Sequence, residues 1–252
     1  MKLRYRVLLA LLFGTVFLIG LFAFAPASLM GSVLERASGG KLTLARTQGS
    51  LWNGSGIALL RQKARYLTLG NYRWNLKLFS ATLQVQAGEA APMTVRYVPF
   101  SGRINVDNLR ITLPVSIMEI AAPQLGPYQL QGSLEASCDH LTLNAAGMTG
   151  QIAMDWLQAA SALSPVRPLG DYRILVQGKG GSLDAQLSTL SGKLLLSGKG
   201  GYDNAAGLQF TGTAQAAPGT AETELNELLH HIGPEISPGV FTLALMPQAA
   251  VR

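Results

Sequence analysis

The side chains able to do chemistry are few and scattered along these 252 residues. Three histidines, His140, His230 and His231, and the single cysteine, Cys138, are the candidate bases, nucleophile or metal ligands. His230 and His231 are neighbours, so on a helix they point about 100° apart, which suits neither a shared metal nor a proton relay. Their place at the end of a helical pattern has a simpler cause, because a cation there offsets the negative end of the helix dipole. Cys138 and His140 are two apart on a strand pattern and would share a face, but two ligands without a third or fourth make no metal site. An acid–base pair would need His140 beside a carboxylate such as Asp139 or Asp155, and the spacing does not bring them together.

Other catalytic signatures fail in the same way. Gly178-Lys179-Gly180-Gly181 and Gly198-Lys199-Gly200-Gly201 resemble phosphate loops, yet lack the GxxxxGK[ST] spacing and a following helix; both read as hairpin turns. There is no G-x-S-x-G elbow, and the carboxylates are dispersed singly. The sequence therefore predicts no catalytic, metal or cofactor-binding residue and a protein that is not an enzyme.

The elements that would position any site begin with Val7 to Ala25, nineteen residues in which only Thr15 is polar. At about 1.5 Å per residue this run just crosses a hydrocarbon core of about 30 Å, and it reads as a membrane anchor. Lys2, Arg4 and Arg6 precede it and Pro26 ends it, so the positive-inside rule keeps residues 1–6 cytoplasmic and exports the rest. A cleaved signal peptide is the competing reading, since Ala23-Phe24-Ala25 imitates a cleavage site. Residues 26–40 then form a juxtamembrane linker, with Leu29, Val33 and Ala37 as one helical stripe before Gly39-Gly40.

Beyond residue 40 the apolar period changes from helical to two. Tyr72, Trp74, Leu76 and Leu78 alternate with Arg73, Asn75 and Lys77, the clearest half-buried strand in the chain. The apolar phase slips by one residue at Asp107-Asn108, which predicts a bulge or bend. A short helical piece carrying Ile117, Ile120 and Ala121 follows Pro114. Thr220 to Ile232 is the one further helix, with Ala221, Leu225, Leu228, Leu229 and Ile232 on one side. The fold class is mainly β with a few short helices: one N-terminal transmembrane helix, then a strand-rich, duplicated periplasmic domain.

The duplication rests on three matches in one order. Leu42-Thr43-Leu44 recurs as Leu141-Thr142-Leu143, Leu69-Gly70-Asn71-Tyr72-Arg73 as Leu169-Gly170-Asp171-Tyr172-Arg173, and Leu125-Gly126-Pro127 as Ile232-Gly233-Pro234. They predict lobes at 41–138 and 139–252, with Asn71 and Asp171 in equivalent turns.

Composition narrows the partners. Of 20 basic residues three are the tip's Lys2, Arg4 and Arg6, leaving 17 against 14 acidic ones, too mild an excess for nucleic acid. Cys138 has no intramolecular partner, so the exported domain must rest on its core.

The most distinctive motif is Gly49-Ser50-Leu51-Trp52-Asn53-Gly54, a tryptophan framed by glycines that permit close backbone approach. Together with Leu187-Ser188-Thr189-Leu190-Ser191-Gly192, Ala216-Ala217-Pro218-Gly219 and the overall plan, it resembles protein N of the bacterial type II secretion system. That resemblance implies an accessory inner-membrane component for export of folded proteins across the outer membrane, working by contact with other secretion components and without cofactors. It offers no catalytic residues; Gly49, Trp52, Gly54, Gly70, Tyr72 and Arg73 are the structural or protein-contact residues it implies. The contact surface expected is an exposed strand edge or the groove between lobes. An alternative of another class stays open. The plan also resembles AsmA and TamB envelope proteins, whose hydrophobic β-groove would bind or transfer lipid.

Overall fold

The computed structural model describes residues 2–62, 65–77, 80–118, 123–203, 207–219 and 222–245. Within these, the side chains of residues 2–11, 62, 65, 116, 123, 124, 208, 222, 223 and 245 lie outside the description. The chain divides into two compact units, Met1–Ala90 and Ala91–Arg252.

The first unit opens with helix α1 (Lys2–Ala23), which at about 1.5 Å per residue is about 33 Å long. Among the described residues no helix is long and apolar enough to cross a membrane; the described side chains of α1 begin at Leu12. Helix α2 (Ser28–Ala37) ends where Gly39 and Gly40 take φ of +62° and +79°, and the Gly40 amide donates to the Glu35 carbonyl (2.7 Å). The helical stripe Leu29, Val33 and Ala37 forms as the spacing predicted and faces outward. Gly31 is the buried position of α2, where a methyl group would stand 3.5 Å from the Leu44 side chain. That distance is an ordinary packing contact, so Gly31 marks the side of α2 that meets β1 without glycine being required there.

The strands β1 (Leu42–Gly49), β2 (Asn53–Gln62), β3 (Arg65–Lys77) and β4 (Thr82–Ala87) pair antiparallel in sequence order. Alternation in β3 holds: Trp74 is buried, while Arg73 and Lys77 are exposed. Leu78 lies outside the described residues.

In the second unit β5 (Met93–Val98), β6 (Arg103–Pro114), β7 (Leu130–Asn144), β8 (Gly147–Ser161), β9 (Gly170–Gly180), β10 (Ser182–Gly192), β11 (Leu194–Asp203) and β12 (Gly207–Ala216) also follow in order. Then β14 (Val240–Leu245) pairs with β12, and β13 (Glu235–Ser237), which the pattern did not predict, takes the outer place. Two 3-10 turns, Val115–Ile117 and Pro123–Tyr128, separate β6 from β7, and helix α3 (Glu222–Ile232) separates β12 from β13. Ile120, Ala121 and Ala221 lie outside the described residues. The division expected between residues 138 and 139 falls inside β7.

Asn108 sits at φ +56° where the phase slip predicted a distortion, and β7 shifts register against β8 between Ser137 and Leu141. Both strands thus change phase together and keep Cys138 and Leu141 inward. Asn71 and Asp171 are not in turns: each lies in a strand, β3 and β9, beside a register shift. Gly70 takes the unusual angle itself, at φ +131°. Of the two glycine-rich tetrapeptides, only Gly178–Gly181 is a hairpin turn. Gly198–Gly201 runs through the middle of β11, because the Phe210 ring lies over it: a methyl group on Gly198 or Gly200 would stand 2.6 Å or 2.8 Å from that ring.

The core of this unit has two clusters. Leu225, Leu228 and Leu229 of α3 close over Val166, Leu169, Leu194, Ala214 and Phe241; Val115, Leu134, Trp156, Ala159 and Tyr172 form the other. The three sequence matches fall on β1 and β7, on β3 and β9, and on the helical segments that follow β6 and β12. Six strands and a helical segment therefore occur twice in the element order.

Candidate functional site

The last carbonyl groups of helix α1 lack the amides of a following helical turn, and the Ala25 amide gives Phe22 only a long bond (3.3 Å). The Gly49–Gly54 motif supplies the donors. The Trp52 indole N–H donates to the Phe22 carbonyl (3.0 Å), the Leu51 amide to the Ala25 carbonyl (2.8 Å), and the Phe22 and Trp52 rings meet edge to face at 4.7 Å. On the sheet side, the Trp74 indole donates to the Leu51 carbonyl (3.1 Å) and the Leu76 amide to the Trp52 carbonyl (2.7 Å). Gly49 stands at φ +88°, and a methyl group on Gly54 would lie 2.6 Å from the Trp74 ring and 2.7 Å and 2.8 Å from two backbone carbonyls. Glycine is required here for close approach, as its frame around Trp52 suggested. The result is a clasp fastening the end of α1 to β1, β2 and β3.

The other three predicted residues sit apart from the clasp's centre. Tyr72 and Arg73 pair with Gly56 and Ser55, and with Arg46 they border an open hollow of about 300 Å³. Burial raises the Tyr72 phenol above its ordinary pKa. Gly70 pairs with Ala58 at the shift in β3. The six residues thus form a structural joint and its shoulder rather than a converging constellation.

The chemistry-bearing side chains meet partners that sequence spacing missed. His140 Nδ1 lies 2.6 Å from Asp107 Oδ1, not beside Asp139 or Asp155, because β6 and β7 align residues 33 positions apart. Its Nε2 is 3.3 Å from Thr142 Oγ1, which also donates to Asn105 Oδ1 (3.1 Å). An Asp–His–Thr row of this kind outlines a hydrolytic triad, but the His140 side chain is 63% exposed and the hydroxyl proton is directed to Asn105. Asp139 faces Arg110 at 3.8 Å, and Asp155 takes two hydrogen bonds from Arg173 at 2.7 Å and 2.6 Å. That pairing holds the Asp155 carboxyl below its ordinary range.

Cys138 and His140 do not share a face. The register shift between them buries Cys138 and exposes His140, and burial pushes the thiol upward, away from thiolate chemistry. His230 packs edge to face on Phe241 at 5.0 Å, and His231 Nδ1–H donates to the Glu227 carbonyl (2.8 Å). Among the described residues no three His, Cys, Asp or Glu side chains gather as metal ligands.

A cavity of about 290 Å³ in the second unit is lined by Trp156, Tyr172, Leu187, Leu196, Phe210 and Leu228 among others. The hydroxyls around it are already engaged: Tyr172 donates to the Leu194 carbonyl (2.9 Å), Tyr128 to His231 (3.0 Å) and Ser161 to Tyr128 (2.7 Å). It offers apolar surface and no reacting group. The repeated Gly-x-Tyr-Arg of residues 170–173 was the sequence signal for Tyr172.

No curated protein and no solved structure matches the chain. A family model does, that of the type II secretion system (T2SS), protein N, over residues 40–244, which begins just before β1 and ends within β14. The two units of antiparallel strands, and not the two helices before them, carry that match; the chain belongs to the type II secretion system protein N family.

Proposed function

We propose that this protein is an accessory inner-membrane component of the type II secretion system, contributing by protein contact to the export of folded proteins from the periplasm. The match over residues 40–244 is the observation that carries the reading. The family is an accessory secretion-system family and not a known enzyme family.

In this reading α1 anchors the chain with residues 1–6 cytoplasmic and the β units periplasmic. Support comes from Phe13, Val16, Phe17, Leu18, Ile19 and Leu21, which point to several sides of the helix and are each at least 60% exposed. A helix apolar all round requires an apolar surrounding. The contact surface is less suited to strand addition than the pattern suggested. Strand β13 is three residues long and flanked by Pro234 and Pro238, and β1 is broken by a register shift around Arg46, both devices that discourage edge pairing. The repeated order of six strands and a helical segment supports a duplicated ancestry for the fold.

Nothing in the comparisons favours the lipid-groove alternative. The test is recovery of partners: the full chain, cross-linked in native envelopes and purified, is expected to bring down other components of the secretion machine. Recovery of none of them after efficient cross-linking would sink the proposal.

A further inference from the structure

Helix α2 turns two of its apolar side chains, Leu29 and Val33, away from the sheet. Its inner side is Ala27, Gly31 and half-buried Leu34 against β1, while Leu29 is 44% and Val33 57% exposed. Arg36 borders this outer face, and exposed Lys41 follows the helix. At the end of α1, a few residues earlier in the chain, Phe22 is 54% and Phe24 85% exposed.

Only residues 24–27 separate the two helices, and they are held in place. Pro26 bridges to Ser50, the Leu29 amide donates to the Pro26 carbonyl (3.1 Å) and the Ala27 amide to the Gly49 carbonyl (3.3 Å). Four residues reach about 14 Å at full extension, and a bilayer adds roughly 5–7 Å of headgroup layer on each side of its core. With α1 as the anchor, Trp52, ring to ring with Phe22 near its end, would stand at the level where indoles collect in membrane proteins.

We infer that the Leu29–Val33 face of α2 lies in the headgroup layer of the bilayer that holds α1, so that the clasp and α2 together set the first unit against the membrane surface. The inference rests on the anchoring proposed above. The occupant is a phospholipid surface, because only residues 24–27, tied to the sheet at Pro26 and Ala27, separate this exposed apolar face from the proposed anchor. Arg36 can extend its guanidinium toward the phosphates while its stem stays on the apolar side.

The test uses the full chain in nanodiscs of phosphatidylethanolamine and phosphatidylglycerol, in a Cys138→Ser background that removes the only cysteine. Spin labels are placed by Phe17→Cys, Leu29→Cys, Val33→Cys and Gln151→Cys, all exposed positions. Labels at 29 and 33 are expected to favour collision with oxygen over a water-soluble nickel chelate several-fold more than the label at 151, and less than that at 17. Nickel accessibility at 29 and 33 equal to that at 151, with 17 shielded, overturns the inference and leaves the anchor standing. A label at 17 open to nickel would overturn the anchor itself, and the inference with it.

Discussion

The first unit buries two large apolar side chains among its described residues, Leu60 and Trp74, whereas the second seals Tyr172, Trp156, Phe241, Val115 and a row of leucines into two clusters. The first is held at its joint by directional bonds from two indoles and by glycines that tolerate no added atom. Volume holds the second. Contact geometry and packed volume fail differently, and perturbing each separately tells whether the units are independent.

The largest effect is expected from Leu225→Ala, which empties a fully buried position under α3 and costs about 2–5 kcal/mol. Urea unfolding followed through Trp156 should move to lower denaturant while the signal of Trp52 and Trp74 stays. If both signals move together, the two units unfold as one body and the contrast drawn above is wrong. Gly54→Ala strikes the other side of the comparison. Its methyl group meets the Trp74 ring and two carbonyls, an overpacking that costs about 1–3 kcal/mol in the first unit's transition. An unchanged midpoint would mean that the clasp has slack.

Trp74→Phe keeps most of the buried ring and deletes the donor to Leu51, so about 0.5–1.5 kcal/mol should go, again from the first transition. Alkaline pH probes the second unit. Burial, and after it the charge of Asp171, raises the Tyr172 phenol, so the folded form resists ionisation. Stability is therefore full below the unfolded pKa of about 10 and declines as pH rises above it. In Tyr172→Phe that decline should be weaker, and an identical alkaline profile would show that Tyr172 does not carry it. The smallest effect belongs to the pair of half-buried Asp155 and exposed Arg173. The hydrogen bonds from Arg173 lower the Asp155 pKa, so its contribution is present above about pH 4 and fades as pH falls through the folded value. The gap between wild type and Asp155→Asn should close at low pH, and a gap that persists there would assign the effect to something other than charge.

Local pattern made much of this fold legible. The alternation around Trp74, the apolar helix at the start, the distortion at Asn108 and the stripe Leu225–Leu228–Leu229 all follow from periods that a single element obeys on its own. What was not legible depends on a second element. The spacing of Leu29 and Val33 marks a helix but not which of its sides meets β1, and it is the side of Gly31 that is buried. Cys138 and His140 share a face only in a strand without a register shift, and Gly198–Gly201 reads as a turn until the Phe210 ring is laid over it. The clasp was half legible: glycines around Trp52 announced close approach, but its target, a carbonyl 30 residues earlier, did not.

Deleting the gene in its native host and following a secreted hydrolase, by activity in the medium and in the periplasm, tests the secretion role most directly. Folded, active enzyme accumulating in the periplasm, and released again when the full-length chain is supplied from a plasmid, is the predicted result. Unchanged secretion in the deletion strain would contradict it.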